Sequence, residues 1–245
     1  MALYKKHIQE CLRLVLTVVP AIALFGSCTR QNPLVIREEA LQSFSVIHVH
    51  SVTEIVLVQD TCYKIIAEGE EDVINDTGWE VINDTLRIRA QSAPVFRIDE
   101  IPRLTVHFQD LKWLTTFKPA KIYNYDTLRL DHFYIYSIGE IGETNLIVDC
   151  NTFGLDNSAN TLGKFFIKGR AGSAYLFNRY GSTIVADSLV CSEAQIINES
   201  VGDVYVSVTG LLRVYLWGTG NIFYHGNPEI LIVEKRNSGE LVSLN

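Results

Sequence analysis

Glycine recurs in the second half of the sequence at regular intervals. Gly142, Gly163, Gly181, Gly202 and Gly220 each precede a short apolar, β-rich segment, and successive glycines are 21, 18, 21 and 18 residues apart. A period of about 20 residues built from short strands and turns is typical of a β-solenoid. One coil cannot bury its apolar face alone, so we expect stacked coils to supply the core.

A second marker follows nearly the same period. Ser137, Asn157, Asn178, Asn198 and Gly218 are 20, 21, 20 and 20 residues apart. We expect the three asparagines at one corner of successive coils, because asparagine there either adopts a left-handed backbone conformation or forms a stacked side-chain ladder. A ligand-binding asparagine row is the alternative, but turns explain asparagine without any partner.

The segment WGTGNIFYHGNP at residues 217–228 has two interpretations, a nucleotide-binding loop and a turn in the solenoid. A phosphate-binding glycine motif needs a strand before the glycines and a helix after them, because the helix N-terminus holds the anion. Here a β-rich run follows Gly220 and ends at turn residues that include Gly226 and Pro228. We therefore interpret the segment as the last full coil, with its glycines at a corner where neighbouring backbones lie close or φ is positive.

The region before the repeats also has the pattern of β-strands. FSVIHVH, EIVLVQD, YKIIAEG, TLRIRA and RLTVHF alternate or run apolar with β-branched residues, and turn residues separate them. VINDT occurs at residues 73–77 and again at 81–85, and we interpret both copies as local turns, the second within a hairpin. The sequence thus predicts an all-β fold, a parallel β-helix-like solenoid with coils of about 20 residues, preceded by an N-terminal β region.

The N-terminus has the order of a bacterial export signal. Basic residues precede the apolar stretch LVLTVVPAIALF, which is too short for a membrane span, and Gly26, Ser27 and Cys28 follow it. A cysteine directly after small residues resembles a lipobox, which implies cleavage before Cys28 and lipidation of that residue. An ordinary signal peptide with an incidental cysteine is the alternative. We therefore expect an exported outer-membrane lipoprotein that faces the periplasm or the cell surface.

These patterns divide the chain into four segments. Residues 1–27 are the predicted lipoprotein signal peptide, and residues 28–40 are the lipidated cysteine and a tether. Residues 41–118 are the N-terminal β region, and residues 119–245 are the solenoid coils with a C-terminal cap. Open solenoid ends expose strand edges, so we expect the N-terminal region to cover one end and the residues after the last coil to continue or cap the other.

Composition and charge exclude one class of partner. Apolar residues make up 47% of the chain and charged residues 20%, which suits a folded core. A net charge of −7, with no basic stripe interleaved with aromatic residues, argues against nucleic-acid binding. No cofactor is expected.

Three cysteines remain after the export signal and Cys28, and three thiols cannot all pair within one chain. Cys150 and Cys191 lie in apolar strand patterns, so we predict that they are buried structural thiols. Cys62 is the third, and the cysteines show no metal-ligand spacing.

Acidic residues and histidines are the candidates for a catalytic or metal-binding site. Parallel β-helices host polysaccharide lyases and hydrolases, which need carboxylates or basic groups clustered on one face. The spacing of the candidate acids does not place two at equivalent positions of successive coils, so solvated turns are favoured; these acids are Asp131, Glu140, Glu143, Asp149 and Asp156. His48 and His50 lie on one face of a strand, but without a third ligand packing is favoured over a metal site. Neither SxxK nor GxSxG occurs, so no motif supports a serine hydrolase.

Aromatic residues crowd the solenoid half. They are Phe133, Tyr134, Tyr136, Phe165, Phe166, Tyr175, Phe177, Tyr180, Tyr205, Tyr215, Trp217, Phe223 and Tyr224. Alternate residues of a strand point in opposite directions, so we expect some of these rings on the outer face. An exposed stripe of this kind suits binding of a glycan or a protein, while stacked ladders without a ligand are the favoured alternative.

Several of these segments also resemble a known family. GTGNIFYHGNP is similar to the Gly-x-Gly-x-apolar-x-Tyr-x-Gly-x-Pro signature near the end of the family called putative auto-transporter adhesin, head GIN domain. FSVIHVHSVTEIVLVQD, YKIIAEG, TLRIRA and IPRLTVHFQDLKWLTT follow its N-terminal order, and the resemblance covers roughly residues 41–230. It implies an exported, lipid-anchored or cell-envelope β protein of Gram-negative bacteria, with a parallel β-helix-like architecture and no established enzymatic activity. Thr219 stands where serine is common and the usual Ser-Gly repeats are few, so the fold is expected to carry over better than any binding surface.

Three functional classes follow. The favoured one is a non-catalytic, membrane-anchored envelope protein that binds a glycan or protein at the cell surface. A structural periplasmic or outer-membrane protein without a dedicated ligand is the second. A carbohydrate-active β-helix enzyme is the third, and it requires facing carboxylates in a cleft.

Overall fold

Short apolar segments form 17 strands and one short helix in the residues that the computed structural model describes, which are 32–91, 101–139, 142–157 and 162–245. The predicted all-β class is therefore confirmed. In chain order the elements are β1 (Leu34–Ala40), β2 (Val46–Val49), β3 (Thr53–Gln59), β4 (Lys64–Glu70), α1 (Glu71–Asp76), β5 (Thr77–Ile82), β6 (Thr85–Ala90), β7 (Arg103–Phe108), β8 (Trp113–Thr116), β9 (Ala120–Tyr123), β10 (Leu128–Ser137), β11 (Glu143–Asp156), β12 (Lys164–Tyr180), β13 (Thr183–Ser200), β14 (Val204–Leu216), β15 (Ile222–His225), β16 (Glu229–Lys235) and β17 (Leu241–Ser243).

Parallel pairing at a nearly constant sequence offset builds the solenoid. β10, β11, β12, β13 and β14 pair in that order, and all of these pairings are parallel. Leu155 pairs with Leu176, which pairs with Ile196, so the offsets are 21 and 20 residues. The sheet forms about six turns with a spacing of about 20 residues, and the predicted solenoid is confirmed.

Inward-facing residues stack in columns that form the core. One such column is 0–2% exposed throughout, and it consists of Leu114, Ile135, Leu155, Leu176, Ile196 and Val214. Each large apolar side chain buried in this way contributes about 1.5–3 kcal/mol relative to an exposed one. Because side chains alternate along a strand, the residues between these positions point outward.

The N-terminal strands join the same parallel stack. β2 and β3 pair in parallel with β8 and β9, and also with β6 and β7. Antiparallel pairs β1–β4, β4–β7 and β5–β6 complete this region.

The two VINDT copies have different structures. The second lies at the turn of the β5–β6 hairpin, where Asn83 and Asp84 have φ of 49° and 63°, so the predicted hairpin is confirmed. The first is mostly helical within α1, so the turn predicted there is wrong. Ile74 is buried and the Thr77 hydroxyl donates to the Val73 carbonyl at 2.8 Å, so packing and this hydrogen bond favour a helical turn.

The C-terminal residues extend the stack beyond the last predicted coil. β14 pairs in parallel with β15 through Val204–Ser207 and with β16 through Leu211–Leu216, and β15 pairs in parallel with β17. Residues Leu34–Asn245 form one compact unit. The predicted signal peptide and Cys28 lie outside the described residues.

Candidate functional site

Three asparagines form a hydrogen-bonded ladder at one corner of the solenoid. Asn157, Asn178 and Asn198 are each 0% exposed. The Asn157 side-chain amide donates to Asn178 Oδ1 at 3.0 Å, and the Asn178 amide donates to Asn198 Oδ1 at 3.1 Å. Full burial leaves these groups inaccessible to a ligand in solution.

The same amides also serve buried carbonyl groups at the corner. Asn178 Nδ2 donates to the Ser182 carbonyl at 2.9 Å. Asn198 Nδ2 donates to the carbonyls of Gly202 and Gly220 at 3.1 and 3.0 Å. Buried carbonyls need partners, and at a corner the regular strand ladder does not supply them. This geometry supports a structural role for the ladder.

Several of the periodic glycines lie where successive coils approach closely. A Cβ at Gly220 would overlap the carbonyl of Gly202, and a Cβ at Gly202 would overlap the carbonyl of Ser182. At Gly142 a Cβ would lie 3.1 Å from the Ala120 carbonyl oxygen, while at Gly163 the nearest atoms belong to the Phe165 ring, also at 3.1 Å. The closest of these approaches leave no room for a side chain.

Two other glycines have different surroundings. A Cβ at Gly181 would contact only the exposed side chain of Leu162, at 2.6 Å. Gly226 has φ of +97° and lies against the Val208 carbonyl, two residues before Pro228. Gly226 therefore meets both a conformational and a steric requirement for glycine.

One outward face of the solenoid carries a row of large aromatic residues. Trp113, Tyr134, Gly154, Tyr175 and Gln195 occupy equivalent positions in β8, β10, β11, β12 and β13. The rings of Trp113 and Tyr134 stack at 4.6 Å with an interplanar angle of 19°. Trp113 is 46% exposed and Tyr175 is 48% exposed, so apolar ring surface faces solvent.

A second outward row runs beside the first, two residues further along each strand. Tyr136, Asp156, Phe177, Ile197 and Tyr215 occupy equivalent positions in successive coils. In β11 both outward positions are thus small or polar, while the coils on either side carry aromatic pairs. A groove results, open to solvent and centred on β11.

The groove has a volume of about 500 Å³. This lies within the range of about 300–1,000 Å³ that ligand sites occupy. Its walls are mostly aromatic and aliphatic, and its lining residues are Trp113, Tyr134, Ile135, Tyr136, Gly154, Leu155, Asp156, Tyr175, Leu176, Phe177, Gln195 and Ile197.

Asp156 supplies the carboxylate at the floor of this groove. Burial raises the pKa of the Asp156 carboxyl, and the nearby Arg179 opposes part of that shift. Asp156 Oδ1 is buried and has no hydrogen-bond partner among the residues that the structure describes. A buried acceptor left unpaired in this way costs free energy.

Charged side chains border the aromatic rows. The Arg179 guanidinium lies 3.8 Å from the centroid of the Phe177 ring and forms an ion pair with Glu199 at 3.5 Å. Arg236 stacks on Trp217 at 4.1 Å from its ring centroid. This border is polar, while the centre of the face is apolar.

The remaining predicted aromatic residues divide between the core and other outward positions. Phe133 and Phe165 are buried, and Tyr224 packs against the core. Tyr205 and Phe223 stack at 4.8 Å with an interplanar angle of 11°, and Tyr205 is in register with Val185, the partner of Phe166. Tyr180 is 51% exposed and has φ of 59°.

The candidate catalytic acids are not brought together. Glu140 lies outside the described residues. Asp131 accepts a hydrogen bond from Asn151 at 2.6 Å. The other acids have basic or aromatic register partners: Glu143 has Lys121 and Lys164, Asp149 has Arg129 and Arg170, and Asp156 has Tyr136 and Phe177.

The histidine pair packs against an aromatic ring. His50 stacks on Phe117 at 4.1 Å, and the His48 ring meets the same residue edge-on at 5.5 Å. Burial lowers the pKa of both histidines, and neighbouring positive charge lowers it further, from His50 and then Arg87 at His48, and from Arg87 and then Arg89 at His50. Both rings thus pack against Phe117, as the favoured interpretation expects.

The predicted buried thiols are also confirmed. Cys150 and Cys191 are buried and free, and burial raises the pKa of each to about 12. Cys62 is free and exposed.

Sequence reasoning missed Trp113 and Gly154 as parts of the groove. Trp113, Tyr134, Gly154, Tyr175 and Gln195 are 21, 20, 21 and 20 residues apart, so the coil period itself connects them. Counting one period back from Tyr134 identifies Trp113. The smallest residue in the row, Gly154, marks the position of the groove.

A family model described as putative auto-transporter adhesin, head GIN domain, matches residues 43–228. No curated protein matches the chain significantly. None of the helices in the described ranges is long and apolar enough to cross a membrane.

Solved structures share the fold. A putative adhesin from Bacteroides fragilis superposes with a TM-score of 0.80 at 20% identity, covering 86% of this chain and 97% of its own. A putative lipid binding protein from Parabacteroides distasonis gives a TM-score of 0.64 at 18% identity, covering 88% and 98%. A putative adhesin from Parabacteroides merdae gives 0.60 at 14% identity, covering 88% and 98%. At these identities the likeness concerns architecture alone.

Proposed function

Because the chain belongs to the family of putative auto-transporter adhesins with a head GIN domain, we propose that it is a non-catalytic, lipid-anchored binding protein of the bacterial cell envelope. The export signal predicted from the sequence and the lipobox-like cysteine, Cys28, support the anchor. In this proposal the solenoid presents its aromatic face to a partner at the cell surface.

The observation that carries the binding role is the aromatic groove centred on β11. Tyr134 and Tyr175 are two strands apart, so their backbones are separated by about 9–10 Å, and the Tyr134 ring lies over Gly154 in the coil between them. Exposed ring surface of this kind costs free energy unless a partner covers it. The groove therefore suits a ligand with apolar faces.

We propose a glycan chain as this ligand. A sugar ring has apolar C–H faces that pack on aromatic rings, and hydroxyl groups around its edge. Tyr134 and Tyr175 supply rings, while the Asp156 carboxylate and the Gln195 amide supply hydrogen-bonding groups in the same groove. This combination matches both parts of a sugar.

The distribution of carboxylates supports binding without hydrolysis. Glycoside hydrolases require two carboxyl groups separated by about 5–9.5 Å on either side of the scissile bond. Of the described residues that line the groove, Asp156 is the one with a carboxylate. One carboxylate can orient a sugar hydroxyl, but it cannot serve as both acid and base partner.

Binding of the purified protein to a glycan array, followed by calorimetry on the best ligand, tests this proposal. We expect Tyr175→Ala to weaken binding by at least about tenfold, because truncating a central aromatic hot spot typically costs about 2 kcal/mol or more. Tyr205→Ala, which removes an outward ring from a different row, is the matched control and should bind normally. Binding that is equal in both variants would reject the groove, and a silent array would reject the glycan and favour a protein ligand or a structural role.

The anchor and the surface location have a separate test. Protease treatment of intact cells should cleave the wild-type chain, and Cys28→Ala should release the protein from the membrane fraction. Protection until the outer membrane is broken would contradict the adhesive role and favour a periplasmic structural one.

A further inference from the structure

A second cluster of reactive side chains lies in the N-terminal region. Asp60, Cys62 and His107 each offer one potential metal-ligand atom, and these three atoms lie within 4.8 Å of one another. None of the three residues lines the aromatic groove. Their chemistry therefore needs its own explanation.

Strand register brings the three residues together. Asp60 follows the end of β3, and Cys62 precedes β4 by two residues. β7 pairs in parallel with β3 and antiparallel with β4, so it lies between them, and His107 is the partner of Lys64. Because Cys62 and Lys64 are two residues apart, both can point to the side on which His107 lies.

The distances within the cluster suit tetrahedral coordination. His107 Nδ1 lies 3.0 Å from Asp60 Oδ2, and Cys62 Sγ lies 3.6 Å from the same oxygen. Zinc bonds of about 2.0 Å to nitrogen and oxygen and about 2.3 Å to sulfur place tetrahedral ligand atoms about 3.3–3.6 Å apart. The two distances to Asp60 Oδ2 are therefore already close to those that tetrahedral coordination requires.

Hydrogen bonds hold the loop that carries two of the ligands. The Asp60 backbone amide donates to the Phe108 carbonyl at 2.7 Å, and the Thr61 amide donates to Asp60 Oδ1 at 2.6 Å. The Gln109 side-chain amide donates to the Thr61 carbonyl. With Oδ1 occupied in this way, Asp60 directs Oδ2 towards the thiol and the imidazole. The loop is thus preorganised, which lowers the entropic cost of binding.

The local charge also favours a divalent cation. A Cys62 thiolate and the Asp60 carboxylate together balance two positive charges. Lys64, the nearby cation, is paired with Glu38 at 2.9 Å, so its repulsion is offset. Sulfur, imidazole nitrogen and carboxylate oxygen form a ligand set that selects zinc-class metals over Mg²⁺ or Ca²⁺.

We propose that Asp60, Cys62 and His107 form a binding site for one Zn²⁺-class ion, with a fourth position open to water or to a ligand from a partner. Binding at neutral pH releases the Cys62 thiol proton to the buffer and replaces the His107–Asp60 contact with two bonds to the metal. Three protein ligands with an open position are the arrangement found in reactive rather than purely structural zinc sites.

Metal titration of the purified, reduced protein without a histidine tag tests this site. Zn²⁺ is titrated by calorimetry, and Co²⁺ by absorption, since a thiolate ligand gives Co²⁺ a charge-transfer band. We expect one ion per chain and a thiolate band with Co²⁺. Cys62→Ser and His107→Gln should each weaken Zn²⁺ binding by more than about tenfold, since even outer-shell changes cost 10–100-fold.

His132→Gln is the matched control. His132 Nε2 lies 3.2 Å from Asp131 Oδ2 in an exposed pair, so this variant removes a histidine beside a carboxylate elsewhere in the fold. Its Zn²⁺ affinity should equal that of the wild type. Circular dichroism of each variant establishes that it is folded. Absence of saturable 1:1 uptake, a Co²⁺ complex without the thiolate band, or unchanged affinity in Cys62→Ser would overturn the site.

Discussion

Tyr134 lies directly over Gly154 of the next coil, so closely that a Cβ at position 154 would overlap the tyrosine ring. The tyrosine also stacks on Trp113, so the three residues form one packed unit at the edge of the groove. The missing side chain of residue 154 therefore fixes both the position of this ring and the width of the groove.

Gly154→Ala should displace the Tyr134 ring and narrow the groove. The overlapping atoms belong to a side chain at the surface, so we expect the free energy of unfolding to fall by only about 1–2 kcal/mol. Ligand binding should weaken much more than stability. Chemical denaturation and calorimetry measure the two effects separately, and a variant with unchanged binding would show that the groove is not the ligand site.

Asn178→Ala should strongly destabilise the solenoid. The substitution removes the acceptor of the buried Asn157 side-chain amide and one donor each from the Ser182 carbonyl and Asn198 Oδ1, which keep their bonds from Ser200, and a buried group left unsatisfied costs about 1–3 kcal/mol. We expect a loss of about 2–5 kcal/mol in urea denaturation. Asn151→Ala, at an exposed asparagine that donates to Asp131, is the control and should change stability by less than about 0.5 kcal/mol. Equal losses in both variants would contradict a stabilising role of burial in the ladder.

Gly220→Ala and Gly181→Ala should have different effects on the free energy of unfolding. At Gly220 the new methyl group meets the backbone carbonyl of Gly202, which the stack holds in place, so we expect a loss of about 1–3 kcal/mol. At Gly181 it meets only the exposed Leu162 side chain, which can move, and the stiffer unfolded chain should make the change neutral or slightly stabilising. Thermal unfolding of the two variants side by side measures this difference, and similar melting temperatures would argue against tight corner stacking.

Asp156→Asn should stabilise the protein at neutral pH and have little effect in acid. The folded pKa of Asp156 is raised by burial, so the folded state binds more protons than the unfolded state between the ordinary value of 3.8 and the raised one. Wild-type stability due to this group is fully present below pH 3.8 and is lost as pH rises through the raised pKa. Denaturation of both proteins from pH 3 to pH 8 should show their curves separating over that interval. Parallel curves would indicate that Asp156 is not perturbed.

The coil period could be predicted from sequence because short-range spacing decides it. Asn157, Asn178 and Asn198 recur at the same sequence offsets as the paired residues of neighbouring strands. The positions of the ladder can therefore be predicted from the sequence alone. The last marker, Gly218, is less informative. Asn198 pairs with Leu216, and Gly218 lies over Ser200, because this coil is two residues shorter at that point.

The groove and the metal-ligand cluster were harder to predict for different reasons. The groove depends on the absence of a side chain at Gly154. A search of the sequence for reactive side chains does not select a glycine. Asp60 and Cys62 lie in the β3–β4 loop and His107 lies in β7, and the sequence alone does not show that β7 lies between β3 and β4. Non-local register of this kind is the information that single-sequence patterns lack.

Each coil contributes one residue to each outward row. Neighbouring residues in a row are therefore about 4.8 Å apart, the distance between adjacent strands. If the glycine and a tyrosine of one row changed places, the groove would move along the stack by one or more strands, and the buried columns would not change. The pattern of large and small residues along these rows can therefore change the shape of the outer face without changing the core.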